Sequence, residues 1–563
     1  MKKVRPFCSV VLFFFFPVLP CFSWDFNSPG DTAELAEALV GQMSDEQALA
    51  QTFMLGWVGA EPSPLIMDWI RNRHIGGVKI FGWNTEDTVR LARTVGDLQK
   101  AALEGNFKIP LLVATDQEGG WIRHVKGATS ETPGNMAIGA SGYPRDAYLS
   151  GYYIGRELAL LGINMNFAPT VDLYTNRDSK LIGPRAFGSD PVNAGILGAA
   201  FVKGHRDAGV IATAKHYPGH GDTDLDSHGV LPEIHVSFDV LWDRELIPYR
   251  LLSKEKIPAI MSGHLAFPET PAASVPASLS SWFLKDILRD KIGYKGLVIT
   301  DDLMMNGATM SAGSLSRAAK QALLAGNDII MLSKTPSLND PVWTSLVSSM
   351  RNEEGFRARV RDAARKVLTV KLEYLRGEGA VPFVPDLERI AAELPEPAAS
   401  AFFLDLAARS VTVIKNGEDG REAFPLTAED AGKVLLTGQF QDFFSAGKAA
   451  YPEALSYWFS PSRGSSELIR YARNADTVIF CLADESGLSM LKSLRQLDKR
   501  IIVLSVLSPV YLDEVSWVDA SIAVYSYAPE SFAAGFSAIL GRIEGTGRLP
   551  FSMDEGRRTV PNG

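Results

Sequence analysis

Gly209-Val-Ile-Ala-Thr213 runs straight into Ala214-Lys-His-Tyr-Pro-Gly-His-Gly-Asp-Thr-Asp-Leu-Asp-Ser-His228. The first five residues carry the apolar, β-branched signature of a buried strand. The stretch after them is too rich in Gly and Pro for helix or strand. Into it are packed three of the chain's eight histidines and three aspartates. A loop pinned to a strand end and loaded with titratable groups is a place where chemistry is done. Asp226-Ser-His228 sets a carboxylate one residue from an imidazole. Metal binding is the rival use of His and Asp. The loop has no helical His-x3-His pair, since Pro218 and Gly219 separate His216 from His220, and it has no cysteine, so no metal and no cofactor are expected.

The same grammar, a short apolar run followed by an amphipathic segment, repeats on both sides of this stretch. The runs before it are Phe53–Trp57, Gly77–Phe81, Leu111–Thr115 and Ile163–Phe167; with Val210–Thr213, those after it are Ala259–Ser262, Leu297–Thr300 and Ile329–Leu332. Strands alternating with helices imply a parallel sheet. Eight such units over roughly 300 residues predict an α/β fold whose N-terminal part is a (β/α)8 TIM-type barrel. Two Rossmann-like halves are the alternative, but no Gly-x-Gly-x-x-Gly follows the early strands. In a barrel, functional residues cluster just past the strands' C-terminal ends. Asp116, Asp172, Lys215-His216, His264 and Asp301-Asp302 all stand there. Any one of these aspartates could simply cap a helix; five positions in register are harder to explain that way.

With 563 residues the chain exceeds a single core, so two domains are expected. Residues 24–375 form the expected barrel domain. Residues 376–399 turn Pro/Glu/Gly-rich and read as a linker with a short helix. Residues 400–563 repeat the strand pattern at Val411–Ile414, Val434–Thr437, Val478–Cys481, Ile501–Leu504 and Ile522–Tyr525. They predict a smaller, three-layer α/β sandwich domain, with a scaffolding or substrate-edge role.

A net charge of −9 without acidic or basic blocks excludes a nucleic-acid partner, which would need a concentrated basic face. Residues 1–23 read as a secretory signal: Lys2, Lys3 and Arg5 precede an apolar run, with an exit near Ser23. The expected location is therefore periplasmic or extracellular. Cys21 follows the apolar run and offers a lipid attachment site, although Pro20 before it suits that use poorly. Removing this segment leaves Cys481 alone, in a buried-strand pattern that reads as a core thiol. A monomer without disulfides is expected.

Ionisable groups round a barrel mouth, with no phosphate loop and no cysteine nucleophile, suit acid/base work on a neutral polar substrate. Sugars fit, because their hydroxyls need many charged partners, and Trp121 and Phe187 offer stacking faces. Retaining glycoside cleavage needs a carboxylate nucleophile and a separate acid/base group. Asp301 suits the first role. His228, oriented by Asp226, suits the second, since an imidazole titrates near neutral pH and places no second anion beside Asp301.

At these residues the sequence resembles glycoside hydrolase family 3, in its β-N-acetylhexosaminidase branch. The marks are Asp116-Gln-Glu-Gly-Gly120, Ile182-Gly-Pro-Arg-Ala-Phe-Gly188, Lys215-His-Tyr-Pro-Gly-His-Gly221, Asp226-Ser-His228 and Ile299-Thr-Asp-Asp-Leu-Met304. The resemblance implies a covalent glycosyl-enzyme on Asp301, an Asp226–His228 acid/base dyad, and a structural role for Asp302. It implies that Asp116, Arg185, Lys215 and His216 hold the hydroxyls of a terminal N-acetylglucosamine. The family usually carries arginine eight residues after the aspartate of Asp116-Gln-Glu-Gly-Gly120. Here that position is His124, so Arg123 is the neighbouring candidate. The expected activity is exo-β-N-acetylglucosaminidase on peptidoglycan fragments or chitooligosaccharides. The rivals are a phosphorolytic version, a β-glucosidase, and a sugar-binding protein without turnover.

Overall fold

The structure, a computed structural model, describes residues 24–223, 225, 229–418, 420–460 and 464–553. Eight strands close into a parallel barrel: β1 Phe53–Gly56, β2 Gly77–Lys79, β3 Leu112–Thr115, β4 Met165–Asn166, β5 Ile211–Tyr217, β6 Ala259–Ser262, β7 Leu297–Asp302 and β8 Ile329–Leu332. Each strand pairs with its sequence neighbours, and β8 closes on β1. All eight overlap an apolar run expected from sequence, but β5 continues through residues 214–217, which the sequence reads as loop. These residues precede the Pro218-Gly219 break and are buried, so the strand carries Lys215 and His216 itself.

Alternation along these strands sorts the core. Val78, Ile80, Val113, Ala214, Val298 and Ile330 face the surrounding helices in one apolar cluster. Leu112, Ala114, Ile211, Leu297, Ile299 and Ile329 belong to a second cluster inside the barrel. Helices Thr32–Gln42 and Glu354–Tyr374 add Leu35, Leu39, Val367 and Leu368 to that inner cluster and plug the N-terminal end. With one end packed shut, the C-terminal mouth is left for ligand. Two residues beyond an inward apolar side chain, the next inward position is polar: Asp116 follows Ala114, and Asp301 follows Ile299. Lys79, between the outward Val78 and Ile80, also faces in.

The second domain is a six-stranded sheet. Its strands are β9 Thr412–Asn416, β10 Val434–Gly438, β11 Leu455–Trp458, β12 Thr477–Leu482, β13 Arg500–Ser505 and β14 Ala520–Ala523, in the order β9-β14-β13-β12-β10-β11. Only β9 is antiparallel to its neighbour. Cys481 is buried in β12. Helix Pro397–Ser410 begins inside the stretch read as a linker and packs on helices Asn135–Ser141 and Pro529–Ile539.

The second domain braces one wall of the barrel mouth. Tyr174, Ile182 and Ala186 share an apolar cluster with Val510, Tyr525 and Phe551. Arg177 donates to Val510 O at 3.1 Å and pairs with Asp513 at 3.3 Å. The loop held this way is the one that carries Arg185.

Candidate active site

Asp116, directly beyond β3, is the hub of the mouth. Its Oδ2 lies 2.8 Å from Lys79 Nζ of β2, and its Oδ1 lies 2.5 Å from Lys215 Nζ of β5. Lys215 also reaches Glu118 Oε1 at 2.6 Å. Arg185 grips Glu118 with two parallel bonds, Nε to Oε2 at 2.9 Å and Nη2 to Oε1 at 2.8 Å. Each cation thus meets carboxylate, which is what allows so many charges to be buried together. Gly119 and Gly120 follow at positive φ, turning the chain into the hairpin Gln117–Gly119/Ile122–Arg123.

Charge states follow from these contacts. Burial pushes the Asp116 carboxyl up, but Lys215 and Lys79 outweigh it and hold the group well below the usual range. Glu118 is likewise opposed by burial, yet Arg185 and Lys215 bring it down to about 2. Both are carboxylates at neutral pH. Burial works against the Lys215 ammonium, and its two carboxylate partners more than restore it.

His216 continues the lattice. Its Nδ1 lies 2.7 Å from Asp172 Oδ2, and Arg185 Nη2 approaches its Nε2 at 3.4 Å. Asp172 also accepts from the backbone N–H of His216 and of His220, the latter at 2.7 Å. Asp172 therefore fixes both the imidazole and the turn that carries it. Just past this turn Asp222 pairs with Arg244 at 2.7 Å, and Arg244 pairs with Glu245 at 2.5 Å.

Asp301, at the end of β7, is partly exposed at the mouth. Burial opposes its ionisation, but His216, His264 and the backbone N–H of Asp302 together lower its pKa below the ordinary value. The Asp302 N–H donates to Asp301 Oδ1 at 2.8 Å. His264 is buried and donates from Nε2 to Asp302 O at 3.0 Å, while Ser278 Oγ holds its Nδ1 at 2.7 Å. Asp302 accepts from the backbone N–H of Met304 and Ser333. Asp301 is partly exposed at the end of β7, and Asp302 ties down the loop behind it.

The sequence-chosen residues stand as follows. Asp116, Arg185, Lys215 and His216 form one connected lattice, and His216 and Lys215 lie within electrostatic reach of Asp301. Arg123 turns its guanidinium to Glu131 at 2.9 Å, and the structure joins it to the lattice by no bond among the described residues. Its neighbour His124 points to Asp116 instead. Asp226 and His228 lie outside the described residues. Phe187 is fully buried in the barrel's outer core and offers no stacking face, whereas Trp121 remains exposed at the hairpin turn.

Lys79 and Glu118 were not chosen from sequence. Glu118 sits inside the quoted Asp116–Gly120 motif. Lys79 carried a signal too: a lone cation inside the otherwise apolar Gly77–Phe81 run, at an inward position.

A mouth whose cations are all matched to carboxylates suits an uncharged, polyhydroxylated ligand, and the barrel supplies a carboxylate beside it. The fold is a (β/α)8 barrel with a lattice of charged side chains at the C-terminal ends of its strands. Over residues 43–370 the chain matches the Glycosyl hydrolase family 3 N terminal domain, and it belongs to that family of glycoside hydrolases. The chain is 32% identical over 354 residues to "Beta-hexosaminidase A" of Pseudoalteromonas piscicida, covering 60% of this chain and 56% of that one. It thus spans little more than half the length of that relative. A "Beta-hexosaminidase" of Tolumonas auensis is 35% identical over 281 residues, or 49% of this chain and 81% of that protein. The solved structure of a family 3 β-N-acetylglucosaminidase from Paenibacillus sp. str. FPU-7 has a TM-score of 0.82 at 26% identity, covering 91% of this chain and 99% of that one.

Proposed function

We propose that the chain is a retaining exo-β-N-acetylhexosaminidase that removes terminal N-acetylglucosamine from peptidoglycan fragments or chitooligosaccharides. The observation that carries this reading is Asp301. It is an ionised carboxylate at the end of β7, beside the Asp116–Lys215–Glu118–Arg185–His216 lattice. That lattice offers fixed donors and acceptors to the hydroxyls of one sugar ring, which positions the anomeric carbon over Asp301. The names of the relatives support N-acetylglucosamine as that sugar.

In the first step an Asp301 oxygen bonds to the anomeric carbon as the glycosidic C–O bond breaks. His228 gives its proton to the departing oxygen. In the second step His228 takes a proton from water, whose oxygen displaces Asp301 and regenerates the carboxylate. Asp226 orients the imidazole and stabilises its cationic form. Asp116, Arg185, Lys215 and His216 bind the ring, with Arg123 at the outer edge beside Glu131. No metal or cofactor takes part. Export through residues 1–23, ending either in cleavage near Ser23 or in lipid attachment at Cys21, and a monomeric state belong to the same proposal.

The test is release of 4-nitrophenol from the β-N-acetylglucosaminide and the β-glucoside, with and without chelator and phosphate. Selective, chelator-insensitive cleavage of the N-acetyl substrate is expected. Glucoside preference would overturn the choice of sugar, and phosphate-dependent turnover would replace hydrolysis with phosphorolysis.

A further inference from the structure

Lys79 and His124 are linked at the barrel mouth by a geometry that leaves little freedom. Lys79 is almost fully buried and has three N–H bonds to give. They go to Ile80 O at 2.7 Å, Asp116 Oδ2 at 2.8 Å and His124 Nδ1 at 3.3 Å. An ammonium has no lone pair, so Nδ1 must be the acceptor, and the ring proton sits on Nε2. Among the described residues that Nε2–H has no protein partner. The ring is part-exposed at the mouth, beside the carboxylate that heads the hydroxyl-binding lattice. Its backbone is fixed on both sides: His124 N donates to Asp116 O at 3.0 Å, and Thr85 Oγ1 donates to His124 O at 2.6 Å. Phe81 packs beneath Lys79 at 4.2 Å and stacks on Trp83 at 4.5 Å, which walls off that side.

We propose that His124 is a substrate-contacting specificity residue, donating Nε2–H to one hydroxyl of the terminal sugar, and that Lys79 is the positioning residue that fixes its tautomer. The proposal rests on the sugar-binding reading of this mouth given above. A neutral donor is the appropriate group here. Lys79 and Lys215 already flank Asp116, and a third cation would add repulsion without a charged ligand to receive it. Burial first, and then the Lys79 charge, bring the imidazole down to about 4, so it stays neutral at working pH. Asp116 accepts from a ring hydroxyl and His124 donates to one, so the pair reads two directions of hydrogen bonding within one corner of the pocket. The ligand class is an uncharged N-acetylhexosamine or hexose with free hydroxyls at its non-reducing end.

The test is a cycle between protein and substrate. kcat/KM is measured for the 4-nitrophenyl glycoside and its 3-, 4- and 6-deoxy analogues with wild type, His124→Ala and His124→Gln. His124→Ala should lower kcat/KM roughly tenfold on the parent sugar. One deoxy analogue, and only one, should be turned over equally by wild type and His124→Ala, because the lost hydroxyl is the partner. His124→Gln should keep much of the discrimination, since its oxygen can accept from Lys79 while its N–H2 donates. Lys79→Met, checked for folding by its unfolding midpoint, should shrink the same coupling. A uniform loss across all analogues, or no loss in His124→Ala, would overturn the proposal. The series is run on whichever glycoside wild type cleaves, so a preference for glucoside sinks the N-acetylglucosamine reading while still measuring His124. If neither is cleaved, the same coupling is read from calorimetric binding of N-acetylglucosamine and its deoxy forms, and absence of coupling there overturns it.

Discussion

Replacing Glu118 by Gln removes one charge from the centre of the lattice while keeping its shape. Glu118 is almost fully buried and is held by Arg185 and Lys215. Its pKa is lowered from 4.5 to about 2, with burial opposing the shift and the two cations overcoming it. A depressed folded-state pKa contributes stability that is present above the unfolded value and lost as pH falls through the folded one. A difference of roughly 2.5 units corresponds to about 3 kcal/mol at pH 7. The contribution declines below the unfolded value and shrinks to about 1 kcal/mol near pH 3. Glu118→Gln mimics the protonated group, so wild type and variant should differ by about that amount at pH 7 and converge in acid. The assay is urea unfolding followed by tryptophan fluorescence between pH 3 and pH 8, compared as shifts in midpoint. The variant should also bind sugar more weakly, because Arg185 loses the fork that orients it. A variant as stable as wild type at pH 7, or a gap that widens in acid, would refute this account of the lattice.

Other consequences can be checked on the same preparations. Asp301→Asn should unfold near the wild-type midpoint yet lose at least a thousandfold in kcat, read by 4-nitrophenol release. His228→Ala should retain more activity on the 4-nitrophenyl glycoside than on an unactivated disaccharide, measured by product chromatography, because only the latter leaving group needs a proton. Arg244→Met should slow the disaccharide more than the activated glycoside, since Asp222 lies on the loop that leads to Asp226 and His228. Phe187→Ala should cost about 3–5 kcal/mol of stability by chemical denaturation, as the loss of a buried core ring rather than of a sugar platform.

The barrel was legible because its strands are buried on both faces and are written as short β-branched runs between amphipathic segments. β11 was not. Leu455, Ser456 and Trp458 are exposed at the sheet edge, so no continuous apolar run marks it. Asp116, Lys215 and Asp301 could be placed at strand ends from spacing alone. The choice between Arg123 and His124 could not, because adjacent residues of a strand face opposite ways and only the hairpin register says which faces in. In the structure Arg123 pairs with Gln117 across the hairpin, and His124 falls beside Asp116. Lys79 was legible as an anomaly without a purpose. Its purpose is a carboxylate contributed by the neighbouring strand, and a contact of that kind has no local sequence signature. Phe187 misled for the converse reason: an aromatic ring near a motif looks the same in sequence whether it faces the sugar or the core.

The central claim is that Asp301 becomes covalently bonded to the sugar. It is tested most directly by incubating the protein with the 5-fluoro glycosyl fluoride of N-acetylglucosamine, which slows the second step, and mapping the label by peptide mass spectrometry. A single added glycosyl group on Asp301, absent in Asp301→Asn and lost as turnover resumes, is the expected result. A label on Asp302 or elsewhere, or turnover with inversion at the anomeric carbon and no label, would contradict it.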